Sequence, residues 1–294
     1  METMLPWFIA LACVGVSAGF NISRAFIIAL EPATAQPLVL QIQQHLRIAD
    51  VRVIRAVNAT QALSMTTGRL PLYTLNLLRW GRHDHMQVYS GGSLGCLLSH
   101  VSVWGRVGPN ETVAVFEEDA IVDELSAVRL GAVLGDLAGV PWDLLMLESG
   151  HLGLNGVWRY VGKNAATCAD WGSKLRAESC SWMGSRGYAI RQHGALQLME
   201  HATPYTVQTD ALMGLLATFS PNFTMYWTTA NIAHPTYMRP SSIWDGCVKC
   251  YLPVSAAVYL AALCFAVSVA VVVWVSGHRK GVLKPSACVS LSAI

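Results

Sequence analysis

The chain has 294 residues, 13% of them charged and 53% hydrophobic, with a formal net charge of +2. So little charge beside so much apolar content excludes a disordered chain, and the near-neutral balance excludes an electrostatic nucleic-acid binder. Eight cysteines in this length are too few for a small disulfide scaffold.

Taken in chain order, residues 5–18 (LPWFIALACVGVSA) form an uncharged apolar run that ends in small residues. The run is short for a bilayer and suits a signal peptide over residues 1–18. Residues 25–30 read as a buried strand, 36–46 carry helical spacing, and 51–57 alternate like a half-buried strand. Gly91-Gly92-Ser93 breaks the chain, after which Leu94, Leu97, Leu98, Val101 and Trp104 share one helical face. Residues 112–116 predict a buried strand that stops at Glu117, Glu118 and Asp119. A helix is expected over 126–137. Trp142 and Asp143 lead into a strand over 144–147, closed by Glu148. Residues 150–179 are rich in Gly and polar side chains and read as one long loop; 181–190 are strand-like, and 195–199 and 211–217 helical. This alternation predicts an α/β domain over residues 19–246 with a mostly parallel sheet.

Residues 251–275 contain no charged side chain and are long enough to span a membrane as a single C-terminal helix. His278, Arg279, Lys280 and Lys284 follow and assign a cytosolic tail over 276–294. The expected topology is single-pass type I, with the main domain facing the ER or Golgi lumen, the cell surface or an envelope exterior. The lipid bilayer is then a partner and nucleic acid is not. Asn21, Asn58, Asn110 and Asn222 head N-x-Ser/Thr sequons on the proposed luminal side, marking a glycoprotein. Cys168 and Cys180 bracket a polar loop and are the first candidate pair. Cys247 and Cys250 form a small disulfide or stand as modification sites, and Cys96 is left as a free, buried thiol.

Three acids at the end of an apolar strand repel one another. A solvated turn or a hard divalent cation relieves that cost, and the residue types alone leave both open. The flanking residues add more. Gly92-Ser-Leu-Gly-Cys-Leu-Leu-Ser-His100, then Trp104, then Val115-Phe-Glu-Glu-Asp-Ala120 resembles glycosyltransferase family 25, which includes lipooligosaccharide and procollagen galactosyltransferases. The family pattern runs roughly G-E-[IL]-G-C-x-x-S-H-x-x-x-W, then an apolar strand and E-D-D-A. Trp142-Asp143, Gly187-Tyr188, Thr209-Asp210 and Ser241-Ser242-Ile243 resemble its later elements, so the resemblance covers roughly residues 25–243. Departures stand at Ser93, where the family has Glu, at Glu118, where it has Asp, and at residues 29–32, which lack the N-L-D-R run.

The resemblance implies a GT-A-like, Rossmann-like fold and a metal-dependent, inverting hexosyltransferase. Such an enzyme moves galactose or glucose from a UDP-sugar donor to a protein or glycan acceptor hydroxyl. It implies Mn²⁺ or Mg²⁺ held by Glu117 and Asp119. Glu118 is a third ligand or a ribose contact, and Ser99, His100 and Tyr188 are donor contacts. The first candidate for the catalytic base is Asp210, by its match to the family's P-x-D, and the second is Glu148, because it ends the neighbouring strand. For His100 and Tyr188 a core role is equally open. The altered positions keep a second reading alive, a catalytically degenerate GT-A domain serving as a surface glycan-binding, adhesion or envelope glycoprotein.

Overall fold

The computed structural model describes residues 22–81, 86–148, 158–168, 184–235, 263–265 and 267–269. The chain divides into two compact units, Met1–Gly246 and Cys247–Ile294.

In the first unit, β1 (Arg24–Ala29) is followed by a 3₁₀ turn (Pro32–Ala35), α1 (Gln36–Gln41) and a π turn (Ile42–Leu46). Then come β2 (Asp50–Arg55), α2 (Ala59–Met65), α3 (Leu72–Trp80), α4 (Gly91–Trp104), β3 (Thr112–Glu117), β4 (Ala120–Val122) and α5 (Ser126–Asp136). The second half holds β5 (Leu144–Met146), β6 (Trp158–Val161), β7 (Ala165–Cys168), β8 (Gly187–Arg191), α6 (Gln192–His201), α7 (Thr209–Phe219), β9 (Met225–Thr228) and β10 (Ala233–Pro235).

Eight strands form one sheet in the order β2-β1-β3-β8-β5-β9-β7-β6, and β10 pairs with β4 beside it. Among the described residues, six strands of the large sheet point one way and two, β8 and β7, the other. This is the expected mixed α/β architecture of the Rossmann-like kind. Side chains alternate along β3 as the pleat requires. Ala114 and Phe116 enter the core shared with α1 and α5, whereas Val113 and Val115 enter the core shared with α4, α6 and α7. Both faces are therefore covered, which is why the strand reads as continuously apolar.

The expected long loop over 150–179 is corrected in part, since β6 and β7 form an antiparallel hairpin inside it. Its turn is fixed from outside. Asp136 accepts from the backbone N–H of Lys163 and Asn164, both at 2.8 Å, and from the Asn164 amide at 2.9 Å. A side chain at Gly162, with φ of +61°, would run into that carboxylate.

Several expectations fall on other residues. The signal segment, the partners Cys180, Cys247 and Cys250, and residues 241–243 lie outside the described residues, as does most of 251–275. Within that span, Leu263, Phe265, Val267 and Val269 are exposed on helical segments. Among the described residues no helix is long and apolar enough to cross a membrane. Of the sequon asparagines, Asn58 is occupied as the N-cap of α2, its side chain accepting from Gln61 N–H.

Candidate active site

The carboxyl ends of β1, β3 and β5 open at one edge of the sheet. Because β8 runs antiparallel, its amino end joins them there. Open α/β sheets bind ligands at this edge. Four acids and one arginine meet there from distant parts of the sequence.

Helix α4 supplies the first wall. Ser90 caps it by accepting from Ser93 N–H at 3.0 Å, and Ser93 Oγ accepts in return from the N–H groups of Ser90 and Tyr89, each at 3.1 Å. Ser93 thus does at the third helical position what Glu does in a capping box, so its departure from the family pattern leaves the helix start intact. The helix lies close to the segment after β2. A Cβ on Gly95 would stand 2.2 Å from the Val57 carbonyl oxygen. Ser99, fully buried, fastens that approach by accepting from Val57 N–H at 2.8 Å and donating to the Gly95 carbonyl at 2.6 Å.

The next residue, His100, is also fully buried. Its Nδ1 lies 2.7 Å from the Tyr188 hydroxyl, which accepts from Trp104 Nε1–H at 2.9 Å. An indole N–H only donates. With the Tyr188 O–H donating to His100 Nδ1, the ring N–H is on Nε2, which faces Glu117 Oε1 at 3.3 Å. Ser185 donates to the same carboxylate oxygen at 2.5 Å. Burial pushes the Glu117 carboxyl up, but these hydrogen bonds and the Arg186 charge outweigh it and hold the group below the usual carboxylate value. Tyr188 is therefore a core residue here, with no exposed ring face.

The three consecutive acids diverge. Glu118 turns away from Glu117 toward the loop after β1, accepting from the Thr34 hydroxyl at 2.6 Å and from Leu30 N–H at 3.4 Å. Asp119 faces Arg186, with Nε at 3.8 Å, and the same guanidinium reaches Glu148 through Nη1 at 3.4 Å. Asp119 Oδ1 and Glu148 Oε1 are buried and have no hydrogen-bond partner among the described residues. Burial and the neighbouring Glu117 charge raise Asp119 to about 6. Burial, against the pull of Arg186, raises Glu148 to about 7.

Asp210 occupies the first turn of α7. Its carboxylate accepts from Gly184 N–H at 2.9 Å and Ala211 N–H at 2.8 Å, which ties the segment before β8 to the helix; burial raises its pKa. Cys96 is free and half-buried, with Sγ 3.6 Å from Thr209 Oγ1, and burial pushes its thiol well above the ordinary value. Arg186 and Ser185 carry no motif in the sequence. Their place beside Glu117 follows only from the pairing of β3 with β8, in which Phe116 stands opposite Gly187.

Residues 22–135 match the model of glycosyltransferase family 25 (LPS biosynthesis protein). The matched stretch begins just before β1, ends within α5, and contains Cys96, Ser99, His100 and all three acids at the end of β3. No curated protein matches the chain.

Proposed function

We propose, from this family 25 match and the acidic edge it delivers, that the protein is a glycosyltransferase moving galactose or glucose from a UDP-sugar to a protein or glycan hydroxyl, with inversion. The match itself supports the transferase class and a nucleotide-sugar donor. The observation that carries the finer reading is the pair of buried carboxylate oxygens, Asp119 Oδ1 and Glu148 Oε1, that have no hydrogen-bond partner among the described residues and lie on either side of Arg186. Buried polar atoms are ordinarily partnered, and two orphans beside one guanidinium mark a place built to receive a ligand.

Glu148 is the proposed base. Its free oxygen lies at the end of β5 on the site edge, and its value of about 7 suits a group that takes a proton from an acceptor hydroxyl near neutral pH. Arg186 is the proposed phosphate anchor, a fixed cation able to trade its carboxylate partners for the donor diphosphate. A divalent cation fits beside it, because the buried Asp119 Oδ1 and the ionised Glu117 are both oxygen donors, two residues apart at the end of β3. Held by those two residues, the ion would neutralise charge on the departing diphosphate. Glu118 holds the loop after β1 through Thr34, and Asp210 positions the Gly184 backbone. A cavity of about 600 Å³ at the end of β2, lined by Arg55, Thr60, Gln61 and Ser64, is the proposed seat of the nucleoside. Anchoring by residues 251–275, with the domain facing a lumen or the exterior, completes the proposal and rests on hydropathy.

Calorimetric titration of UDP-galactose and UDP-glucose into the full-length protein, with and without Mn²⁺, tests the reading beside Asp119→Ala. Metal-dependent binding that the substitution abolishes is expected. A folded protein that binds neither donor would leave the degenerate, glycan-binding reading in its place.

A further inference from the structure

We infer that Asn222 carries an N-linked glycan whose first sugar packs against the exposed ring of Phe219, at the edge of the sheet opposite the donor site. The inference rests on the reading that this domain faces a lumen or the exterior, and on no feature of the transferase site.

Helix α7 ends at Phe219 and β9 begins at Met225. Between them the chain reverses in a β-turn over 220–223, closed by Phe223 N–H donating to the Ser220 carbonyl at 3.2 Å. Pro221 stands where its fixed φ suits the bend. The turn is pinned from α6. The Gln197 side chain donates to the Asn222 carbonyl at 3.1 Å and accepts from the Ser220 hydroxyl at 3.2 Å. Thr224 N–H is held by the Asp143 carboxylate at 2.8 Å. Asn222 itself is exposed.

Asn222-Phe-Thr224 is therefore an acceptor sequon presented on a fixed surface turn. The Asn222 amide nitrogen displaces the diphosphate from C1 of a polyprenyl-diphosphate oligosaccharide. The N–C1 bond forms, the C1–O bond breaks, the amide gives up one proton, and the polyprenyl diphosphate leaves.

Phe219 is the second observation. It is 58% exposed and stands three residues before Asn222, where the turn begins. Its ring lines two cavities, one of about 490 Å³ with His201 and Thr206 and one of about 310 Å³ with Arg159 and Thr218. The C–H face of a pyranose packs on the negative face of an aromatic ring, and those polar side chains meet its hydroxyls. Asn110 supplies the contrast. It stands in a turn of the same build, with Glu111 N–H donating to the Gly108 carbonyl at 3.1 Å, but the residue three places before it is the buried Val107. Asn58 already serves as a helix cap. Because β5 and β9 run parallel, the turn before β9 lies at the edge opposite Glu148, and a glycan there leaves the donor and acceptor paths open.

Full-length protein made in cells with a secretory pathway tests the inference. Protease protection in sealed vesicles reads which way the domain faces. Mass spectrometry of the peptide bearing Asn222 reads the modification. An N-acetylhexosamine-based adduct is expected there, absent in Asn222→Gln and in Thr224→Val. A protected domain with Asn222 unmodified overturns the inference and leaves the lumen-facing reading standing, whereas an unprotected domain overturns both. Melting temperature in detergent reads the packing. Trimming the glycan to its first sugar should leave it unchanged, and Asn222→Gln should lower it by about 2–4 °C. In a Phe219→Ala background the same substitution should produce no drop. Equal drops in both backgrounds would overturn the packing on Phe219.

Discussion

Two groups of polar side chains share one edge of the sheet and are built on opposite terms. In the inner group, Trp104, Tyr188, His100, Glu117 and Ser185 form an unbroken chain of hydrogen bonds, and Glu117 stays ionised although buried. In the outer group, Asp119 and Glu148 share one arginine at 3.4–3.8 Å, each keeps an oxygen without a partner among the described residues, and both titrate well above ordinary carboxylates. Satisfied buried networks fix a structure, and half-satisfied ones cost stability until something binds. The comparison assigns the inner group to holding the edge in shape and the outer group to meeting the donor and acceptor.

The sharpest break comes from the outer group. Glu148→Gln keeps the shape and removes the base, so kcat should fall roughly 10²–10⁴-fold with donor affinity little changed, as initial rates and calorimetry would report. Asp119→Ala should lower kcat/KM on the order of 10²–10³-fold, and the loss should persist at saturating metal. Neither variant should unfold.

Stability separates the groups in the opposite sense. A carboxyl whose folded pKa is raised binds more protons folded than unfolded between the two values. Its contribution to stability is therefore present at acid pH and is lost as pH rises through the folded value. For Glu148, buried and facing Arg186, Glu117 and Asp119, that window runs from the ordinary carboxylate value of about 4.5 to about 7. Denaturant titrations should find Glu148→Gln more stable than wild type at pH 8 by about 2–3 kcal/mol, with little difference at pH 4.5. Tyr188→Phe should do the contrary. It strips Trp104 Nε1 and His100 Nδ1 of a shared buried partner and should cost about 1–3 kcal/mol, while leaving the pH slope set by Glu148 in place. At the small end, Thr34→Val removes one hydroxyl from Glu118, and its melting temperature should shift by less than about 4 °C.

Much of this edge was legible before any coordinates. The apolar run over 112–116 and the abrupt stop at Glu117 located the strand end, and the spacing of Leu94, Leu97, Leu98, Val101 and Trp104 placed the helix before it. What the sequence hid follows from pairing between distant strands. Arg186 and Ser185 sit in a stretch that reads as a strand but carries no chemical motif, and only the antiparallel register of β8 against β3 carries them to Glu117. The same ignorance of partners concealed the divergence of Glu117 from Glu118, which alternation along a strand permits but does not announce. Hairpin β6–β7 was lost among polar residues because its turn is secured by Asp136, more than twenty residues away. Short helices α2 and α3 carry too few turns for a clear apolar stripe.

The division of labour at the edge rests most directly on Glu148. Turnover of UDP-galactose to UDP, followed with an acceptor from pH 5 to 9 in wild-type and Glu148→Gln proteins, tests it. A wild-type rate that climbs through about pH 7 and levels off above it is predicted, together with a low, nearly flat profile for the variant. A wild-type rate without that rise, or a variant that keeps the wild-type profile, would contradict the assignment of Glu148 as the base.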